Sequence, residues 1–236
     1  MNRTGSMQKP DMFGQNAADY DAWYQTPTGA FIDQVETELV FRLLPPPSGR
    51  RVLDAGSGTG NFSAKLSRET CDVIGVDQSQ NMLSIAKQKG INATFIQADL
   101  RRLPFPDDTF AAIYSICTIE FIRDLHIAFA ELWRVLAPGG ELLIGSISAD
   151  SPWGEHYRRR AQRKPDSIFR YAHFWTRTEL FGFQPENVVR SGECLFIPPM
   201  APPIAFNSKQ ERQFRQLYRG GFFAVLWAKP KQEGAS

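Results

Sequence analysis

A short apolar run, Val52-Leu53-Asp54-Ala55, passes straight into Gly56-Ser57-Gly58-Thr59-Gly60, and this junction constrains the chain more than any other feature. Runs of about four to eight Val, Ile and Leu residues without polar alternation fit strands buried on both faces, as in a parallel sheet. Glycines alternating with small hydroxyl residues then require a tight turn at which a ligand can approach the backbone itself. A second run, Val73-Ile74-Gly75-Val76, ends on Asp77, seventeen residues after Gly60. A carboxylate at a strand end, with two acceptor oxygens, is placed to take both hydroxyls of a ribose. The first expectation is therefore a nucleoside-containing cofactor.

Spacing narrows the choice. Dinucleotide folds use G-x-G-x-x-G to bring a helix N-terminus to a pyrophosphate, whereas this chain has G-x-G-x-G with Asp54 two residues before the first glycine. A carboxylate there repels a pyrophosphate and suits a cation. S-adenosylmethionine carries an ammonium and a sulfonium and has no phosphate. Gln97-Ala98-Asp99, Leu103-Pro104-Phe105, Phe110-Ala111-Ala112-Ile113-Tyr114-Ser115 and Arg134-Val135-Leu136-Ala137-Pro138-Gly139-Gly140 follow in order. With these motifs the chain resembles the class I S-adenosylmethionine-dependent methyltransferases, and within them the small-molecule branch typified by ubiquinone/menaquinone C-methyltransferases. The resemblance is close over about residues 48–148 and loose elsewhere. It implies an α/β fold: a Rossmann-like, seven-stranded, mostly parallel sheet in the order 3-2-1-4-5-7-6, with the last strand antiparallel and helices on both faces.

Periodicity fills in the organisation. Ile32, Val35, Leu39 and Leu43 recur at helical spacing, and Pro45-Pro46-Pro47 ends that helix. Strands are expected at about 51–55, 72–76, 94–97, 110–115, 140–147, 187–197 and 222–229. Helices are expected near 79–89, with Ser79 as N-cap and Gly90 closing it, and near 124–137. Residues 1–47 are read as an N-terminal helical lid segment and 48–236 as the main domain. About 149–183, rich in Arg, aromatic residues and His, is read as an insertion capping the substrate.

The resemblance implies a site residue by residue. Asp54, Ala55, Gly56, Ser57, Gly58 and Gly60 would hold the methionine half of S-adenosylmethionine, with S-adenosylhomocysteine as product, and Asp54 would face the amino group. Asp77 would accept the ribose hydroxyls, Asp99 the adenine amino group, and the Leu100 amide would serve the adenine ring. Gln78 and Met82 would pack beside the adenine, and Ser115 would border the point where the acceptor arrives. Tyr20, Tyr24 and Thr26 would close over the cofactor from the N-terminal segment. Methyl transfer mainly needs alignment, and some acceptors also need a base. His156, His173 and Glu120 are the candidates, with Tyr157 beside them. Phe169, Tyr171, Phe174 and Trp175 form either a substrate wall or the apolar face of the cap, and Arg158-Arg159-Arg160 either an anion attractor or a solvated helix face.

Bulk properties limit the alternatives. The net charge of the 236 residues is only +2, which gives no electrostatic argument for a nucleic-acid partner. Cys71, Cys117 and Cys194 are too far apart for a disulfide framework or zinc site, so the expectation is a cytoplasmic protein with no metal. No apolar run approaches the ~20 residues of a membrane span. Three competing readings remain at this point: a binding protein without catalysis, a nucleic-acid methyltransferase, and a nicotinamide dehydrogenase. The Ser115-Ile116-Cys117-Thr118 sequence lacks the Pro-Pro of amino-methylating nucleic-acid enzymes. A small-molecule methyl acceptor is the partner expected.

Overall fold

The computed structural model describes residues 17–231. Phe13-Gly14 and the rest of the proposed lid segment before Ala17 lie outside those residues. Two helices come first, α1 (Ala17–Tyr24) and α2 (Pro27–Leu43). Pro27 sits where its missing N–H is harmless, and the Thr26 hydroxyl accepts from the Gly29 N–H, so the second helix starts on a proper cap. Ile32, Val35, Leu39 and Leu43 are all buried, as their spacing predicts.

The alternating core follows: β1 (Arg51–Ala55), α3 (Asn61–Arg68), β2 (Asp72–Asp77), α4 (Gln80–Gln88), β3 (Thr94–Gln97), β4 (Phe110–Ile116), α5 (Leu125–Val135) and β5 (Leu136–Ile147). Ser79 caps α4 by accepting from the Met82 amide at 3.2 Å, and Gly90 takes a φ of +65° after the helix. Both match the sequence reading. β5 is longer than expected because Leu136 already pairs with Phe110. The Pro138-Gly139-Gly140 turn is absorbed into the strand as an irregularity, with Gly139 at φ +74°.

Beyond β5 come α6 (Pro152–Arg163), α7 (Arg177–Phe181), β6 (Val188–Cys194), α8 (Ser208–Phe214) and β7 (Phe222–Ala228). β6 stops at Cys194, three residues short of the expected end. Leu195 turns left-handed (φ +64°), and the amides of Leu195, Phe196 and Ile197 all donate to the Glu211 carboxylate instead of to a neighbouring strand.

All seven strands form one sheet in the order β3-β2-β1-β4-β5-β7-β6. β1 to β5 pair in parallel, and β7 runs antiparallel to both β5 and β6. This is the topology expected from the motifs. Two apolar layers cover the sheet. One packs α2 with Tyr114, Leu143, Trp153 and Phe222; the other packs α5 with Ile113, Leu142, Phe223 and Trp227. Parallel β1, β2, β3 and β4 therefore bring their C-terminal ends, and the acids there, to a single edge. Ligands of open α/β sheets collect at this edge.

Candidate active site

The glycine loop is the floor of the site. After Ala55 the amides of Gly56 and Ser57 both donate to the Val76 carbonyl, at 2.8 and 2.9 Å, which ties the loop to β2. Gly56, Gly58 and Gly60 all have positive φ, and the two outer ones are crowded. A Cβ on Gly56 would lie 2.2 Å from the Thr118 side chain, and one on Gly60 would lie 2.8 Å from Ile91. Gly58 differs: at φ +52°, a Cβ there would meet nothing within 4 Å. The open side of the loop is thus at Gly58.

Asp77 accepts from the Gly58 amide at 2.8 Å and from the Ser79 amide at 2.8 Å, one bond to each oxygen. It therefore links the loop to the start of α4. Asp54 is 2 % exposed and accepts the Ser63 hydroxyl at 2.6 Å. Burial pushes its carboxyl up to about 7; the Ser63 hydrogen bonds pull it down, and the nearby Asp77 charge adds to the rise. Asp99 has its own partner: Arg101 grips both carboxylate oxygens, with distances from 2.6 to 3.1 Å, and holds the acid below its ordinary range. Leu100 and Met82 are buried, whereas Gln78 is exposed with its carbonyl accepting from Gln97. Ser115 is fully buried, and its hydroxyl donates to the Ala55 carbonyl, so it braces β1 from below.

The N-terminal helices lie against this floor. Tyr20 and Tyr24 share a hydrogen bond of 2.9 Å between their hydroxyls, and burial pushes both phenols up. Thr26 is occupied as the cap of α2 and also donates to the Trp23 carbonyl. Asp21, which sequence reasoning did not single out, accepts from Thr59 at 2.6 Å and Asn61 at 3.1 Å and pairs with Lys89 at 2.6 Å. α1 is therefore fastened to the glycine loop, to α3 and to α4.

The three residues proposed as bases have different surroundings. Glu120 is 1 % exposed; its Oε1 accepts from the Ser146 hydroxyl at 3.0 Å and the Ile147 amide at 2.8 Å, while Oε2 has no partner among the described residues. His156 is partly buried between Trp153 and Tyr157, and burial with the Arg160 charge lowers its pKa. His173 is exposed, its ring set against Trp175 and its amide donating to the Glu120 carbonyl at 2.7 Å.

The aromatic group of the cap divides. Phe169 and Phe174 gather around Tyr157 of α6, at centroid distances of 4.1 and 6.2 Å. Trp175 packs with the core layer under α5, and Tyr171 is exposed. Arg158, Arg159 and Arg160 are exposed on α6, with Arg159 paired to Glu155.

Glu36 on α2 is the largest omission of the sequence reading. Burial pushes its carboxyl up to about 8; Asp33 and Glu120 add to the rise and Lys65 opposes it. Its charge is felt by Tyr20, Tyr24, Cys117 and Tyr157, so α1, α2, the end of β4 and α6 converge on one polar cluster. Cys117 is held at φ +51°, a conformation that non-glycine residues adopt mainly where the surrounding structure enforces it. The three thiols are free. Among the described residues, no helix is long and apolar enough to cross a membrane.

Comparison with known proteins agrees with this geometry. Residues 53–144 match the family described as a methyltransferase domain. The ubiquinone/menaquinone biosynthesis C-methyltransferase of Saccharophagus degradans is 35% identical over 142 residues, covering 56% of this chain and 57% of that protein. The malonyl-[acyl-carrier protein] O-methyltransferase of Pectobacterium atrosepticum is 30% identical over 139 residues, covering 59% of this chain and 53% of its own. The chain thus spans about half the length of these curated relatives. In fold it is similar to a solved S-adenosylmethionine-dependent methyltransferase of Thermotoga maritima, with a TM-score of 0.73 and 24% identity over 92% of this chain and 98% of that one. The matched stretch makes residues 53–144 a methyltransferase domain, carried on a sheet whose order is that of the class I S-adenosylmethionine-dependent methyltransferase fold.

Proposed function

We propose that the protein transfers a methyl group to a small-molecule acceptor, with the cofactor held along the C-terminal edge of β1 to β4. The observation that carries this reading is the opening at Gly58, whose amide donates to Asp77, in a loop that begins two residues after the buried Asp54. A ligand can reach the backbone there, and the two carboxylates favour an adenosyl donor bearing positive charge over a pyrophosphate. Bound S-adenosylmethionine would supply an electrophilic methyl carbon on a good leaving group.

The chain's own residues then have to bind, orient and exclude water. Asp77, fixed by the Gly58 and Ser79 amides at the end of β2, would take the ribose hydroxyls. Asp54 would meet the ammonium, whose arrival favours its ionised form. The Leu100 amide and the side of Met82 would receive the adenine; Asp99 would contribute only with an oxygen shared with Arg101. α1, with Tyr20 and Tyr24, would cover the site from one side, and residues 149–183 would roof the acceptor from another. Glu120 is the best-placed of the sequence-chosen bases, since Oε2 lacks a partner and neighbours Cys117 and Glu36 electrostatically. The relatives' printed names, one a C-methyltransferase and one an O-methyltransferase, support a small acceptor without fixing the atom methylated.

Calorimetry with S-adenosylmethionine and with NAD, followed by incubation of the protein with methyl-labelled S-adenosylmethionine and fractionated metabolites, tests the reading. Binding of the sulfonium cofactor alone and label in a small product support it. Preference for NAD, or tight cofactor binding with label appearing only in nucleic acid, overturns it.

A further inference from the structure

The polar cluster beside the cofactor edge has a chemical bias of its own. Glu36 is partly buried, and its carboxyl makes no hydrogen bond or ion pair among the described residues. Lys65, the cation it feels, is held by Asp33 at 2.5 Å and Thr37 at 2.6 Å. Glu120, contributed by the segment after β4, is almost completely buried with Oε2 unpartnered. Glu36 feels the Glu120 charge and both act on Cys117, which, like Tyr157, packs against the apolar layer that holds α2. Their other titratable neighbours are Tyr20 and Tyr24 from α1, Asp33 from α2, Tyr157 from α6 and Cys194 from β6. None of these is cationic. Two exposed arginines act on the edge of the cluster: Arg160 of α6 on Tyr157 and His156, and Arg42 of α2 on Cys194.

Resting on the methyltransferase reading, we propose that the acceptor is an organic amine bound as its cation, seated between α1, α2, the end of β4 and α6 with Glu36 and Glu120 as counter-charges. For transfer the ammonium gives one N–H proton to one of these carboxylates; the freed nitrogen lone pair then bonds to the methyl carbon as the carbon–sulfur bond breaks, and sulfur leaves as the neutral thioether of S-adenosylhomocysteine. An anionic acceptor would meet the two acids, neither of which is acted on by an arginine. A neutral, apolar one would leave the buried Glu120 oxygen unpaired. An ammonium carries N–H donors for both acids, and the tyrosine rings offer it their faces.

The proposal has a thermodynamic signature independent of turnover. Burial, with the Asp33 and Glu120 charges, pushes the Glu36 carboxyl up to about 8 and so favours its protonated form. A cation beside it favours the carboxylate, so binding releases a proton to the buffer.

The test is isothermal titration of the full chain, saturated with S-adenosylhomocysteine, with benzylamine, butylamine, benzyl alcohol and benzoate. The expected result is at least tenfold tighter binding of the amines than of the alcohol or acid. Binding heats should vary with buffer ionisation enthalpy in the sense of proton release near pH 7. Glu36→Gln should abolish both the amine preference and the released proton while leaving S-adenosylhomocysteine affinity unchanged, which also shows that the variant is folded. Glu120→Gln should weaken amine binding in the same direction. Preference for benzoate or benzyl alcohol, no binding by either amine, or an unchanged preference in Glu36→Gln overturns the proposal. Failure of the unmodified protein to bind S-adenosylhomocysteine would instead overturn the methyltransferase reading.

Discussion

The Ser63 hydroxyl, on α3, donates at 2.6 Å to Oδ2 of Asp54, on β1, and so holds a buried carboxyl at the base of the glycine loop. This bond favours the charged form of an acid that burial pushes up to about 7. Ser63→Ala should therefore raise the Asp54 pKa further. The expected loss in S-adenosylmethionine affinity is roughly tenfold near pH 6.5, from a charge-assisted hydrogen bond worth ~1.5 kcal/mol or more. It should shrink by pH 8.5, where the acid is ionised in both proteins. Calorimetry at the two pH values checks this; an equal loss at both would show that Asp54 does not meet the ammonium.

Asp77 joins two backbone amides and, on the proposed function, a ribose. Asp77→Ala should lower S-adenosylmethionine affinity at least tenfold, or about 1.4 kcal/mol. It should also lower the apo melting temperature by several degrees, because the Gly58 and Ser79 amides lose their acceptor. Calorimetric titration alongside thermal unfolding separates the two effects.

Gly56 and Gly58 should fail differently when changed to alanine. At Gly56 the new methyl runs into Thr118 within the protein, so unfolding temperature should drop sharply. At Gly58 the methyl points into open space, and the structural cost is only the left-handed backbone, about 1–2 kcal/mol. The Gly58→Ala protein should stay folded and lose cofactor affinity out of proportion to its stability. Paired melting and binding curves distinguish them.

Two buried acids set a pH dependence of stability. Asp54 and Glu36 have folded values of about 7 and 8, above those of the unfolded chain. The native state therefore binds more protons than the unfolded one between about pH 4 and 8, and stability falls as pH rises through that window. His156, held below its ordinary value, works in the opposite sense. The clean readout is thus a difference: Glu36→Gln should show a flatter decline in melting temperature from pH 5 to 8 than the parent protein. Identical profiles would remove Glu36 from the buried cluster.

The sheet was legible because buried parallel strands and the turns between them impose local constraints on residue type. Val52–Ala55, Val73–Val76 and the Ser79–Gly90 helix carry their own start and stop signals. β6 was overestimated because Leu195-Phe196-Ile197 is as apolar as a strand; only the distant Glu211 carboxylate diverts its amides. In the candidate site, the left-handed glycine turn was legible from the alternation of glycine with small hydroxyl residues. Glu36 was not, because an acid on an amphipathic helix reads as the solvent face, and only folding shows α2 turning it toward Cys117 and Glu120. Thr26 and Ser115 were misleading in the opposite way. Both stand at the right place along the chain, yet helix capping and a bond to Ala55 occupy their hydroxyls.

Asp21 ties the first helix to three different parts of the fold, and one of those ties, to Lys89, is a partly exposed ion pair. If ligand exchange proceeds past that helix, departure of spent cofactor has to undo the whole fastening at once. Turnover would then be paced by an unlatching step and would quicken with ionic strength, as screening loosens the Lys89 contact.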